Sequence, residues 1–112
     1  SISVWGTGRP RRDFLFSRDL ADALFFLAER YDPAAGPVNV GPDADLSIAD
    51  VADAVRQVVG YDGKLEFDAS KPDGAPLKRL DASPLRALGW SPSTDFSAGL
   101  RETYAAYLRL PR

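Results

Sequence analysis

Ser70-Lys71-Pro72-Asp73-Gly74-Ala75-Pro76-Leu77-Lys78-Arg79 holds two prolines and a glycine within ten residues. Proline removes backbone donors and glycine permits positive φ, so neither a helix nor a central strand runs through the stretch. It is a loop. It follows directly on the strand-like run Lys64-Leu65-Glu66-Phe67-Asp68 and exposes three cations and one carboxylate. A loop held by a rigid element in this way suits presentation to an anion. The same composition also fits a solvated, proline-stiffened surface turn.

Upstream of this loop lies the clearest helix start in the chain. Ser47-Ile48-Ala49-Asp50 approximates a capping box, with the Ser47 hydroxyl available to the third backbone amide and Asp50 in the positive first turn. Ile48, Val51, Ala52, Val55 and Val59 form the predicted buried stripe, and Gly60 suits the left-handed terminating position. Before it, Val38-Asn39-Val40 lies between Gly36-Pro37 and Gly41-Pro42 and reads as a short strand. Leu20, Leu24, Leu27 and Tyr31 recur at helical spacing, predicting an amphipathic helix over 18–31 that ends at Asp32-Pro33.

At the start of the chain, Ile2, Val4, Phe14 and Phe16 are alternating β-formers in two extended segments joined by Gly6-Thr7-Gly8-Arg9-Pro10-Arg11-Arg12. Arg9, Arg11 and Arg12 place three guanidinium groups in four positions. Such a run is a solubilising turn or a fork for phosphate oxygens, each charge-assisted bond contributing about 1.5–3 kcal/mol. Trp5 beside it either stacks on a ligand ring or joins the core. Downstream of the loop, Ser83-Pro84 caps a short turn over Leu85–Leu88, stopped by Gly89, and Trp90 reads as a buried anchor. Thr94 or Asp95 caps a last helix whose face is Phe96, Leu100, Tyr104 and Tyr107 or Leu108. The element order predicts a single α/β or α+β domain over 1–112, a small sheet with three main helices.

Composition narrows the chemistry. A chain of 112 residues is expected to bury roughly 65% of its unfolded surface. A net charge of −2 argues against a nucleic-acid surface. No apolar run approaches the ~18 residues of a membrane helix and no signal peptide opens the chain, so the expected location is cytoplasmic. With no His and no Cys, common zinc sites and His- or Cys-based nucleophiles cannot be built from this chain alone. Met is absent too, even at position 1, which fits either a processed start or a chain cut from a larger protein.

Several elements, taken together, resemble a known family. Val4-Trp5-Gly6-Thr7-Gly8, Arg12-Asp13-Phe14, Asp19-Leu20-Ala21-Asp22-Ala23, Asn39-Val40-Gly41, Leu46-Ser47-Ile48, Val59-Gly60-Tyr61, Phe67-Asp68-Ala69-Ser70-Lys71-Pro72-Asp73-Gly74 and Leu88-Gly89-Trp90 resemble, in order, the C-terminal substrate-binding part of the GDP-L-fucose synthases. These belong to the extended short-chain dehydrogenase/reductase superfamily. The Ser-Lys-Pro-Asp-Gly loop is the most particular of these elements. The resemblance implies a GDP-sugar ligand and, in the full-length family, NADP(H) used for two epimerisations and a reduction of GDP-4-keto-6-deoxy-D-mannose. It also implies that Trp5, Arg12 and Asp73 contact the nucleotide sugar, with Lys71 and Lys78 adding positive field or merely solvating the loop.

The reductase and epimerase residues of the family do not carry over, because this chain lacks a Gly-rich dinucleotide fingerprint and any Tyr-x-x-x-Lys as well as Cys and His. No cofactor is therefore expected on this chain alone, and its implied partner is the missing Rossmann half or another copy. Arg18 departs from the family by standing where an acidic residue is usual, and Ala75 and Leu77 stand where many members have Thr and Arg. Two other readings are another nucleotide-sugar epimerase or dehydratase, and a stand-alone interaction module with a vestigial pocket.

Overall fold

A computed structural model of the chain describes residues 1–111. Along these residues run β1 (Ile2–Trp5), β2 (Arg11–Asp13), α1 (Ser17–Arg30), β3 (Asp45–Ser47), α2 (Ile48–Val59), β4 (Leu65–Asp68), β5 (Leu77–Lys78), α3 (Ser83–Ala87) and α4 (Phe96–Tyr107). The expected α/β class holds, with α1, α2 and α4 as the main helices. The strands form two small sheets. β1 pairs with β4 in parallel, from Ile2 opposite Leu65 to Trp5 opposite Asp68. In the other sheet β2 lies centrally, antiparallel to β3 and parallel to β5.

A parallel pair needs a crossover between its strands, and α2 lies within the connection from β1 to β4. Its start is the predicted capping box: the Asp50 amide donates to the Ser47 hydroxyl at 3.0 Å, and the Ser47 amide donates to the Asp50 carboxylate at 3.2 Å. Gly60 ends the helix at φ 71°, where a side chain would be strained. The stripe expected on α2 is only partly covered. Val55 and Val59 remain exposed beside a gap of about 220 Å³ shared with Ile2, Val4 and Leu65.

The core sits elsewhere, around Ala23, Leu85 and Trp90, with Leu15, Phe26, Leu27, Val38 and Val40 packed against it. Trp90 is the buried anchor expected, and its indole N–H donates to Asp22 at 2.8 Å. Asp19 is buried as well. It accepts from the Ser93 hydroxyl at 3.0 Å, the Thr94 amide at 3.0 Å and the Thr94 hydroxyl at 3.2 Å, tying α1 to the lead-in of α4. Asp95, rather than Thr94, caps α4 by accepting from the Ala98 amide.

Three expectations are corrected, and two short strands were not foreseen. Phe14 and Phe16 are not strand residues: β2 is Arg11–Asp13, and the two phenylalanines turn toward α4, with Phe14 5.5 Å from the Phe96 ring and Phe16 against Gly99. Val38-Asn39-Val40 forms no strand, because no described residue supplies it a backbone partner; Val38 and Val40 pack on the core instead. The strands Asp45–Ser47 and Leu77–Lys78 were not foreseen, the second lying inside the stretch read as a loop, where it pairs with β2. On α1 the buried face runs through Ala23, Phe26 and Leu27, whereas Leu20 and Leu24 of the expected face are exposed, beside Phe25 at 77%.

Candidate functional site

The 70–79 loop lies over the turn between β1 and β2. β1 delivers Trp5 to the end of its pair with β4, and the Gly6 amide extends that pairing by donating to the Asp68 carbonyl at 2.9 Å. Gly6 then takes φ 90°, and a side chain there would run into the Asp73 carboxylate. The sequence thus leaves room at this point for the loop to approach the turn. Asp73 fills it. One of its oxygens accepts from the Thr7 amide at 2.5 Å and the other from the Thr7 hydroxyl at 2.7 Å.

Those two bonds decide the charge state of Asp73. Its carboxyl is held below the ordinary aspartate range, first by the Thr7 hydroxyl, then by the Thr7 amide, and further by the positive charge of Arg9. Asp73 is therefore an ionised acceptor at neutral pH and not a proton donor.

Trp5 is not core. It is 72% exposed, and the Lys71 ammonium stands 5.7 Å from the centre of its ring, a cation–π approach. Arg12 is half-buried in β2 beneath the loop. Its Nη1 donates to the Arg11 carbonyl at 2.7 Å and the Ala75 carbonyl at 2.8 Å, while Nε and Nη2 make no hydrogen bond among the described residues. Lys78 is the register partner of Arg12 across β2 and β5, so both side chains share one face of that sheet. Trp5, Lys71, Asp73, Arg12 and Lys78 thus line one loop and the strands beneath it.

The arginine cluster is divided by its partners. Arg11 pairs with Asp45, which also accepts from Arg79 at 3.0 Å, and Arg11 is the main cause of the lowered Asp45 pKa. Arg9 makes no side-chain ion pair among the described residues. Arg18, the basic departure noted above, pairs with Glu102 of α4 at 2.6 Å and lies over the Phe16 ring, which gives it a bridging role between helices.

Sequence reasoning missed Thr7 and Asp13. Asp13 accepts from the Leu80 amide at 2.9 Å and so holds the far end of the loop. Their only signal was position, inside the glycine turn and beside the arginines. Among the described residues no cluster of His, Cys, Asp and Glu fits a metal ion, and no helix is long and apolar enough to cross a membrane. A cavity of about 340 Å³ lies apart from the loop, lined by Phe14, Phe16, Thr94, Phe96 and Thr103. The loop site is an open shelf: cationic, with one aromatic face and one fixed carboxylate. That combination suits a phosphorylated ligand carrying a ring.

Residues 1–41 match the NAD-dependent epimerase/dehydratase family. Over 108 residues the chain is 46% identical to GDP-L-fucose synthase 1 of Arabidopsis thaliana, an alignment covering 96% of this chain and 33% of that protein. The chain is a GDP-L-fucose synthase-like segment. Among solved structures, this GDP-L-fucose synthase-like segment superposes on a GDP-6-OMe-4-keto-L-xylo-heptose reductase from C. jejuni with a TM-score of 0.88 and 32% identity, covering 96% of this chain and 33% of that one. It also superposes on a GDP-L-fucose synthetase from Naegleria fowleri bound to NADP, with a TM-score of 0.82 and 27% identity over 95% of this chain and 34% of that one. The segment therefore spans about a third of the length of the relatives it matches, consistent with the C-terminal part.

Proposed function

We propose that this segment binds the GDP-sugar in an enzyme that converts GDP-4-keto-6-deoxy-D-mannose to GDP-L-fucose, acting in the cytoplasm. The observation that carries the reading is similarity to GDP-L-fucose synthases along 96% of the chain; Lys71, Asp73 and Lys78 lie in the 70–79 stretch, with Trp5 at the end of β1 and Arg12 in β2. In this reading the free Nε and Nη2 of Arg12 meet the pyrophosphate as a planar fork. Trp5 packs on a ring of the ligand, Asp73 accepts from a ribose or base edge, and Lys71 and Lys78 raise the local anion concentration.

NADPH supplies the hydride in this reading, and it does not fit the residues present here. Gly6-Thr7-Gly8 leads into Arg9-Pro10-Arg11 and β2, not into a helix whose N-terminus would receive a pyrophosphate. The cofactor and the reacting groups belong to the portion of the relatives beyond this chain, and the exposed Leu20, Leu24 and Phe25 of α1 offer it an apolar surface. The test is calorimetric titration of the chain with GDP, GDP-L-fucose and UDP-glucose. Binding of the guanine ligands in preference to UDP-glucose supports the proposal; equal affinity for all three, or none for any, contradicts it.

A further inference from the structure

We infer that Thr7 is the positioning residue of this site: through its paired bonds to Asp73 it fixes the 70–79 loop above Arg12. The inference rests on the GDP-sugar reading for its functional meaning, but the latch itself stands on geometry. Thr7 and Asp73 are 66 residues apart in sequence, and both carboxylate oxygens are engaged by the one threonine, through its amide and its hydroxyl. The hydroxyl also accepts from the Arg9 amide at 3.3 Å, which orients its proton toward Asp73.

The residues on either side are shaped to the same contact. A Cβ at Gly6 would collide with Asp73, and Gly74 takes φ 75°, a conformation that strains any side chain. The loop is then secured at three successive points: at Asp73 by Thr7, at Ala75 by the Arg12 guanidinium, and at Pro76 by the Arg11 amide at 2.9 Å. The first of these rests on the amide and hydroxyl of one threonine and on one exposed carboxylate. A hydrophobic isostere at position 7 retains the amide donor and removes the hydroxyl, so one of the two bonds is lost while the turn's shape is retained. Thr7 touches no ligand in this account; it acts through Asp73 and through the height of the loop over Arg12.

The experiment is amide hydrogen exchange of the chain in Thr7→Val, Thr7→Ser, Asp73→Ala and the Thr7→Val/Asp73→Ala double variant, beside GDP titration of each. Thr7→Val is expected to speed exchange about fivefold at the amides of residue 7 and Arg11, which donate to the Asp73 carboxylate and the Pro76 carbonyl, as befits one exposed charge-assisted bond. Amides of α2 should keep their rates, and Thr7→Ser should restore protection at positions 7 and 11. The double variant should exchange no faster than Asp73→Ala alone, because both changes remove one shared contact. GDP affinity should fall in Thr7→Val and recover in Thr7→Ser. Unchanged exchange at positions 7 and 11 in Thr7→Val, or additive effects in the double variant, overturns the latch. If the unsubstituted chain fails to bind GDP, the functional reading fails, and the exchange rates still decide the latch.

Discussion

Asp73 and Thr7 show how a proposed contact residue is held by its neighbour. A carboxylate on a proline-stiffened loop is visible in sequence, and charge or aromaticity marks Arg12, Trp5 and the lysines as candidates that the family resemblance then singles out. Thr7 carries no such mark. Its importance arises from a glycine at φ 90° that lets a residue 66 positions away close on it, which spacing does not reveal. The chemistry has a pH consequence. The folded pKa of Asp73 is lowered, chiefly by the Thr7 hydroxyl, so its stabilisation is present above the unfolded aspartate value near ~3.9 and is lost as pH falls from there through the folded value. Exchange of the Thr7 and Arg11 amides followed against pH should therefore be flat from neutral down to about 4, beyond the intrinsic trend, and rise below it in excess of the α2 amides. A rise already complete at neutral pH would mean that the carboxylate is not what holds the loop.

At the scale of elements, local signals were read well and non-local ones were not. The capping box at Ser47 and the left-handed Gly60 are decided within a few residues, and both are present. Phe14, Phe16 and Val38–Val40 have strand composition but lack a strand neighbour, and composition does not say where hydrogen-bond partners come from. The converse error is Asp45-Leu46-Ser47, a strand with no β-branched residue, held because β2 lies beside it and Arg11 and Arg79 meet at Asp45.

Asp19 and Asp22, three residues apart on α1, hold the Ser93–Thr94 segment and Trp90 in turn, so one face of α1 fixes the C-terminal third of the chain. Asp19→Ala would remove the buried carboxylate that accepts from the exposed Ser93 hydroxyl and from the half-buried amide and hydroxyl of Thr94. It is expected to destabilise the chain by about 2–4 kcal/mol, measured as a lower urea midpoint, with less loss in Asp19→Asn. An Asp19→Ala midpoint equal to that of the unsubstituted chain would remove Asp19 from this role.

Across the whole molecule, length alone promised a fuller core than the structure has. A chain of 12.2 kDa is expected to expose about 6,100 Å², yet it exposes 7824 Å². Its radius of gyration is 16.8 Å against about 13 Å for a compact domain of this length. The excess is carried by apolar groups such as Phe25, Leu24 and Leu110, as befits a segment spanning a third of its relatives. In the proposed reading the loop site is nonetheless preformed on this segment. Thermal unfolding of the chain and of Arg12→Ala, with and without GDP, tests it most directly. At 100 times its dissociation constant GDP should add roughly 2.7 kcal/mol, a rise on the order of 10 °C in Tm. The rise is expected in the unsubstituted chain and its loss in Arg12→Ala; no rise with GDP, or an equal rise in both proteins, would mean that no preformed GDP site involving Arg12 exists on this segment.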